Sequence, residues 1–134
     1  MFYYFIINPS SSSGKHKTLW REIKEQLEKE EINYKIAATK KTGDAKRLAR
    51  EASLQVSETN PCTIVAIGGD GTVNEVVNGL ILSPFLSFGY IPTGSGNDLA
   101  RGLGLSKEPL EALAFILHPK EKKAVRIGKI CNQR

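Results

Sequence analysis

The sequence is poor in cysteine and has no long apolar run, and each shortage excludes a class of protein. Its two cysteines, Cys62 and Cys131, form neither a CxxC pair nor a Cys/His metal pattern. Reduced thiols are therefore expected, as in a cytoplasmic protein. The apolar start, MFYYFIINP, has no basic segment of the kind that begins a signal peptide. No apolar stretch approaches the ~20 residues of a membrane-spanning helix.

The chain also has no acidic surplus, because it contains 19 basic and 14 acidic residues and its net charge is +5. This modest balance fits an anionic partner such as a nucleotide, a membrane surface or nucleic acid, without choosing among them. The length of 134 residues suits one compact domain. Such a domain buries roughly two thirds of the surface of its unfolded chain and can fold without disulfide bonds.

Short apolar runs alternate along the chain with stripes of helical period. The runs predict strands at 3–7, 34–38, 63–67 and 86–91, and the stripes predict helices at 18–30, 45–56, 72–81 and 109–117. A short helix is expected near 97, and 124–131 resembles the beginning of a strand. The alternation predicts an α/β fold, a three-layer αβα arrangement around a mainly parallel sheet.

The loops after the first, third and fourth predicted strands all fall at the carboxyl edge of that sheet, where ligands bind in such folds. In the third, Gly68, Gly69 and Gly71 leave the backbone bare, and Thr72 is expected to cap the following helix. Bare amides at a helix start bind phosphate. The alternative is a tight strand-to-helix turn without a ligand.

Asp70 stands inside this glycine turn, and a carboxylate facing phosphates needs a cation or a proton to give it a role. It could hold Mg²⁺ or accept a proton from an attacking hydroxyl. Alternatively, it bonds only the amides of its own turn. Because no GxxxxGK[ST] pattern is present, a compensating cation must come from elsewhere, and the candidates are Lys15 and Arg101. Lys40 and Lys41 could also neutralise phosphate, although charged residues in a connection usually face solvent.

The fourth-strand loop, PTGSGNDLAR at 92–101, repeats the design of a glycine turn before a helix. Ser95 can donate to a phosphate or a ribose, Asn97 or Asp98 can cap the helix, and Asp98 would add a second carboxylate at the same edge. The first loop, NPSSSSGK at 8–15, supplies hydroxyls and amides, although by itself it is typical of a solvated loop.

Together, NPSSSSGK, GGDGTVNE and PTGSGNDLAR, in this order and spacing, resemble the catalytic domain of the diacylglycerol kinase family, which includes bacterial lipid kinases and is similar to sphingosine and ceramide kinases. GGDGT alone also occurs in NAD kinases, and the PTGSGNDLAR loop separates the lipid kinases from them. The resemblance covers nearly the whole chain. It implies ATP-dependent transfer of the γ-phosphoryl group to a lipid hydroxyl such as that of diacylglycerol, with Mg²⁺.

The resemblance also implies site residues. Asp70 becomes the candidate catalytic residue and, through the nucleotide phosphates, the candidate metal ligand, while Glu75, Asn97 and Asp98 are expected to support the site. The nucleotide-binding residues that match the family's segments are Asn8, Pro9, Ser10, Ser11, Ser12, Thr39, Gly68, Gly69, Asp70, Gly71, Thr72, Val73, Asn74 and Ser95.

Two positions depart from the family pattern. Ser12 stands where relatives often have Gly or Arg, and Arg126 stands where an aspartate is common, which could loosen the domain junction. Residues 1–123 are expected to form the nucleotide-binding domain, and 124–134 to begin a strand leading to a β-rich second domain that the chain lacks. The family implies that this second domain supplies most of the lipid pocket, so the isolated chain is expected to bind nucleotide with little activity.

Three alternatives stay open at the level of sequence: an NAD kinase-like enzyme, a nucleotide-binding module without catalysis, and a basic nucleic-acid binder. The last is disfavoured, because the basic residues are spread over several segments and are not interleaved with aromatics. The expected location is the cytoplasm, peripheral to the inner face of the membrane where the lipid substrate lies. The interpretation allows a homodimer.

Overall fold

A parallel sheet forms the centre of the molecule. The computed structural model describes residues 2–9, 15–93 and 109–118, and for 15–17 the backbone alone. Within these residues four strands pair in the order β2-β1-β3-β4, and all three pairings are parallel. Their bounds are β1 Phe2–Ile7, β2 Asn33–Ala38, β3 Cys62–Gly68 and β4 Leu86–Pro92.

Helices connect the strands and cover both faces of the sheet. Their bounds are α1 Lys15–Lys29, α2 Asp44–Leu54, α3 Asp70–Gly79 and α4 Pro109–Leu117. Each shows an apolar stripe facing the sheet, such as Ile23 and Leu27 on α1, both fully buried. No helix in the described residues is long and apolar enough to cross a membrane.

Two hydrophobic clusters, one on each face of the sheet, show the three layers. The first joins α2 and α3 to the sheet, with Ala49 and Val76 opposite Ile6 and Ile64. The second joins α1 and α4 to the other face, where Phe5, Val65 and Ile67 meet Ile23 and Leu113. Central strand β3 is buried along its whole length, which explains its unbroken apolar sequence. The predicted αβα fold with a parallel sheet is confirmed.

The boundaries differ from the predicted ones mainly where glycine or a polar residue begins a helix. α1 begins at Lys15 rather than Thr18. α3 begins at Asp70 rather than Thr72, because Gly69 takes extended backbone angles and acts as the N-cap. Asp70 therefore lies in the first helical turn and not in a loop. The expected helix near 97 and the expected strand at 124–131 lie outside the described residues.

Candidate functional site

The register of the sheet brings the residues that follow β1 and β2 together at one edge. Ile7 of β1 pairs with Ala38 of β2, so the residues that follow them, Asn8 and Thr39, are neighbours. The amide of Thr39 donates to the carbonyl of Ile7 at 2.9 Å. Thr39 is largely buried, and Asn8 is half-buried. Asn8 thus stands at the centre of the carboxyl edge, as the parallel topology predicts.

The other half of this edge is formed by the ends of β3 and β4. Gly68 pairs with Pro92, and the amide of Thr93 donates to the carbonyl of Gly68 at 3.0 Å. The buried hydroxyl of Tyr90 lies 3.3 Å from the same carbonyl and donates to it. Two donors therefore hold the carbonyl of Gly68, and with it the point where β3 turns into α3.

The start of α3 presents a row of backbone donors at this edge. The first hydrogen bond within the helix runs from the amide of Val73 to the carbonyl of Gly69, at 3.1 Å. The preceding amides, those of Asp70, Gly71 and Thr72, have no acceptor among the described residues, as expected for a first helical turn. Three unpaired donors and the positive end of the helix dipole favour an anion at this position.

Thr72 does not cap the helix, contrary to the sequence prediction, since α3 has no side-chain cap. Because Thr72 lies in the third helical position, its hydroxyl turns back toward the sheet, where the side-chain amide of Asn8 donates to Oγ1 at 3.4 Å. A Cβ atom added at Gly68 would lie 2.7 Å from that Oγ1. Glycine at 68 therefore makes room for Thr72, and Thr72 connects the helix to the end of β1.

Gly69 and Gly71 differ from Gly68 in having open space around them. A Cβ atom added at either would meet no described atom within 4 Å, apart from its chain neighbours and its own helix backbone. Neither residue has a positive φ. Within the described part of the chain, neither packing nor backbone geometry requires glycine at these two positions. The absence of side chains here leaves the row of amides uncovered.

Asp70 is exposed beside these amides. Its carboxylate makes no hydrogen bond or ion pair with any described residue. The alternative, in which Asp70 bonds the amides of its own turn, is therefore not observed among the described residues. Of the other predicted residues in this segment, Val73 is fully buried in the core and Asn74 is exposed. Asp70 is thus the carboxylate that α3 offers at the edge.

The loop between β2 and α2, residues 39–43, is held by a carboxylate that sequence reasoning missed. The side chain of Asp44 accepts hydrogen bonds from the amides of Lys40 and Lys41, at 2.8 and 3.1 Å. The Lys40 amide, with further help from Lys41 and from Arg47 at 3.6 Å, lowers the pKa of Asp44 below its usual value. The sequence feature that could have predicted this role of Asp44 is the Gly-Asp pair just before the apolar stripe of α2, since an acidic residue is favoured in the first turn of a helix.

A second carboxylate reaches the same loop from α3. Oε1 of Glu75 accepts a hydrogen bond from the amide of Gly43 at 3.0 Å. The side chains of Lys40 and Lys41 remain exposed at the edge. Glu75, expected only as general support for the site, thus has a defined partner in the described structure.

Several predicted site residues lie outside the described residues: Ser10, Ser11, Ser12, Ser95, Asn97, Asp98, Arg101 and Arg126. Of Lys15 only the backbone is described. The structure therefore brings together Asn8, Thr39 and the segment 68–74 from the predicted set. No group of three or more His, Cys, Asp or Glu side chains that could hold a metal occurs in the described residues. A Mg²⁺ ion at this edge would rely on Asp70 together with ligand phosphates, a donor set that this ion commonly uses.

A comparison with protein families matches nearly the whole chain to a single family. Residues 3–130 match the diacylglycerol kinase catalytic domain. A diacylglycerol kinase of Bacillus subtilis (strain 168) is 35% identical over 129 residues, which are 96% of this chain and 41% of that protein. A diacylglycerol kinase of Staphylococcus saprophyticus is 36% identical over 126 residues, covering 93% of this chain and 40% of the relative.

Solved structures of diacylglycerol kinases have the same fold as this chain. The crystal structure of a diacylglycerol kinase from Bacillus anthracis str. Sterne superposes with a TM-score of 0.71 at 33% identity, over 85% of this chain and 38% of that one. The chain spans about two fifths of the length of these relatives.

Proposed function

Since the chain belongs to the diacylglycerol kinase catalytic domain family, we propose that it is the nucleotide-binding part of an ATP-dependent lipid kinase. The reaction would transfer the γ-phosphoryl group of ATP to a lipid hydroxyl such as that of diacylglycerol. Because the chain spans about two fifths of its relatives, we propose that residues 1–123 bind the nucleotide and that a further domain after 124–134 completes the lipid site.

One observation carries this proposal: three amides at the start of α3 have no acceptor among the described residues, and they lie beside two glycines that nothing in the described structure requires. A phosphate group would satisfy these donors, and the missing side chains would let it approach the backbone. The end of β1 and the end of β2 extend the edge from this point, so Asn8 and Thr39 would contact the remainder of the nucleotide. The predicted serines, Ser10 to Ser12 and Ser95, would add hydroxyl donors.

Asp70 would act on the acceptor side of the reaction. The lipid hydroxyl oxygen forms a bond to the γ-phosphorus, the bond from that phosphorus to the β–γ bridging oxygen breaks, and ADP leaves. The hydroxyl proton passes to a carboxylate, for which exposed Asp70 is the candidate within this chain. Mg²⁺, when bound with the nucleotide, would neutralise phosphate charge. The chain's own amides orient the phosphates, which is the larger part of phosphoryl-transfer catalysis.

The lipid would be met at a membrane surface rather than inside the bilayer. The described helices include no candidate span, and the net charge of +5 favours approach to anionic lipid headgroups. We therefore propose peripheral action at the cytoplasmic face of a membrane.

The experiment has two stages. Calorimetric titration of the 134-residue chain with ATP, with and without Mg²⁺, is expected to show one binding site, and absence of binding would refute the proposal. The full gene product is then assayed with labelled ATP and either diacylglycerol or NAD as acceptor. Phosphorylated lipid is expected. Phosphorylated NAD instead would identify an NAD kinase-like enzyme, and binding without turnover would identify a non-catalytic module. Robust lipid phosphorylation by the 134-residue chain alone would contradict the proposed division of labour.

A further inference from the structure

We infer that Glu75 is a positioning residue for nucleotide binding: its carboxylate, 3.0 Å from the amide of Gly43, fixes the loop 39–43 against α3. The inference rests on the proposed function, since it assumes that this edge holds a nucleotide. It gives Glu75 a role through the backbone of another segment, without contact between Glu75 and the ligand.

The loop needs such an anchor because of its own sequence. Gly43 is the N-cap of α2 and has a φ of 95°, in the left-handed region that favours glycine. Having no side chain, Gly43 cannot cap the helix, and α2 has no side-chain cap of its own. Glu75 supplies a carboxylate to the same helix end from α3, where the helix dipole favours negative charge.

Two carboxylates hold the loop from different sides. Asp44 binds the amides of Lys40 and Lys41 from within α2, and Glu75 binds the amide of Gly43 from α3. At its other end the loop is tied by the amide of Thr39, which donates to the end of β1. Among the described residues, the bond from Glu75 is the one hydrogen bond that connects the loop to the helix whose first turn would bind the phosphates.

This connection fixes, relative to α3, the part of the loop that carries two candidate ligand-binding side chains. Thr39 is held beside Asn8, and the exposed side chains of Lys40 and Lys41 emerge from the same loop. Without the bond to Glu75 the loop would sample more conformations, and the nucleotide would have to order it on binding. That ordering weakens affinity but leaves the bound geometry, and hence the chemical step, largely unchanged.

The test compares Glu75→Ala and Glu75→Gln with the wild type. Because the nucleotide would have to order the loop on binding, Glu75→Ala is expected to raise the Kd and KM for ATP severalfold. At saturating ATP, the kcat of the full gene product should stay within about twofold. Glu75→Gln keeps an acceptor oxygen and should restore most of the affinity. Glu25→Ala, which removes an exposed carboxylate on α1, is the matched control and should leave affinity unchanged.

Amide hydrogen exchange supplies a readout that does not depend on nucleotide. In Glu75→Ala the amide of Gly43 should exchange faster, while amides in β3 keep their protection. Wild-type affinity in Glu75→Ala, with the Gly43 amide deprotected, would overturn the positioning role. A loss of kcat as large as the rise in KM would also overturn it. If the wild type itself fails to bind ATP, the proposed function fails, and the exchange result still shows whether Glu75 anchors the loop.

Discussion

Gly79 of α3 and Lys46 of α2 lie so close together that a side chain at position 79 has no space. A Cβ atom built at Gly79 would be 2.1 Å from the carbonyl oxygen of Lys46 and 2.9 Å from its carbonyl carbon. Both obstructing atoms belong to the backbone, which cannot rotate away as a side chain would. Helix α2, which follows the loop 39–43, and helix α3, which follows the glycine turn, are thus packed backbone against backbone at this point.

Gly79→Ala is therefore expected to force α2 and α3 apart. Overpacking of this kind costs roughly 1–3 kcal/mol, and backbone obstruction places this case at the upper end. Urea unfolding of the variant should show a free energy of unfolding about 3 kcal/mol lower, or no folded protein. A variant as stable as the wild type would show that the helices are not held at this distance.

Gly71→Ala is expected to separate stability from binding. Alanine is favoured over glycine in helices by up to about 1 kcal/mol, and a Cβ atom at 71 meets no described atom within 4 Å. The free energy of unfolding should therefore rise by about 0.5–1 kcal/mol. Affinity for ATP should fall at least tenfold, because the methyl group occupies the approach to the amides.

The control for Gly71→Ala is Asn78→Ala, which lies exposed near the other end of α3. Affinity for ATP in this variant should match that of the wild type. Unchanged ATP affinity in Gly71→Ala would mean that the bare turn has no ligand to accommodate.

Asp70→Asn is expected to reduce turnover much more than nucleotide affinity. General-base catalysis contributes typically 10²–10⁴-fold, so kcat for lipid phosphorylation by the full gene product should fall at least about a hundredfold. The Kd for ATP, measured by calorimetry without Mg²⁺, should change by less than about threefold, since the amides that bind the phosphates remain. Glu58→Gln, in an exposed turn, is the control. Unaltered turnover in Asp70→Asn would assign the proton transfer to another group.

Asp44 should make stability depend on acid pH. Bonding to the Lys40 amide lowers the pKa of Asp44 from its ordinary value of 3.8. Its stabilising effect is therefore complete above pH 3.8 and is lost as the pH falls below that value toward the lower pKa of the folded state. The difference in unfolding free energy between wild type and Asp44→Asn should stay constant from about pH 7 to 5 and shrink below pH 4. A difference that is independent of pH would contradict the role of the Asp44 charge.

The sequence predicted the strands and their edge well, because apolar runs such as 63–67 and the helical stripes between them follow simple periodicity. The placement of Asn8 and Gly68 at one edge also followed, since parallel strands end together, whereas Thr39 was a candidate through the family resemblance alone. The start of α3 was predicted two residues late, because Gly69 and Asp70 are typical of turns and the helix begins through tertiary packing.

The anchors of the loop 39–43 were harder to predict. The bond between Gly43 and Glu75 joins residues 32 positions apart. This bond depends on the distance between α2 and α3. Gly79 permits that distance, and no local sequence pattern encodes it. Likewise, the partner of Thr72 is Asn8, 64 positions away, and the local rule for hydroxyls before a helix indicated a cap instead.

The order β2-β1-β3-β4 has a consequence for how the protein is made. The amino-terminal strand β1 is an inner strand, yet its partner β3 begins only at Cys62. At the usual rate of about 5–20 residues per second, a ribosome needs roughly 3–11 s to synthesise the intervening residues 8–61. Throughout that interval at least one edge of the apolar strand FYYFII has no partner strand. The order of synthesis thus differs from the order of the strands in the sheet, and the unpaired edge of β1 is prone to aggregation until β3 is made.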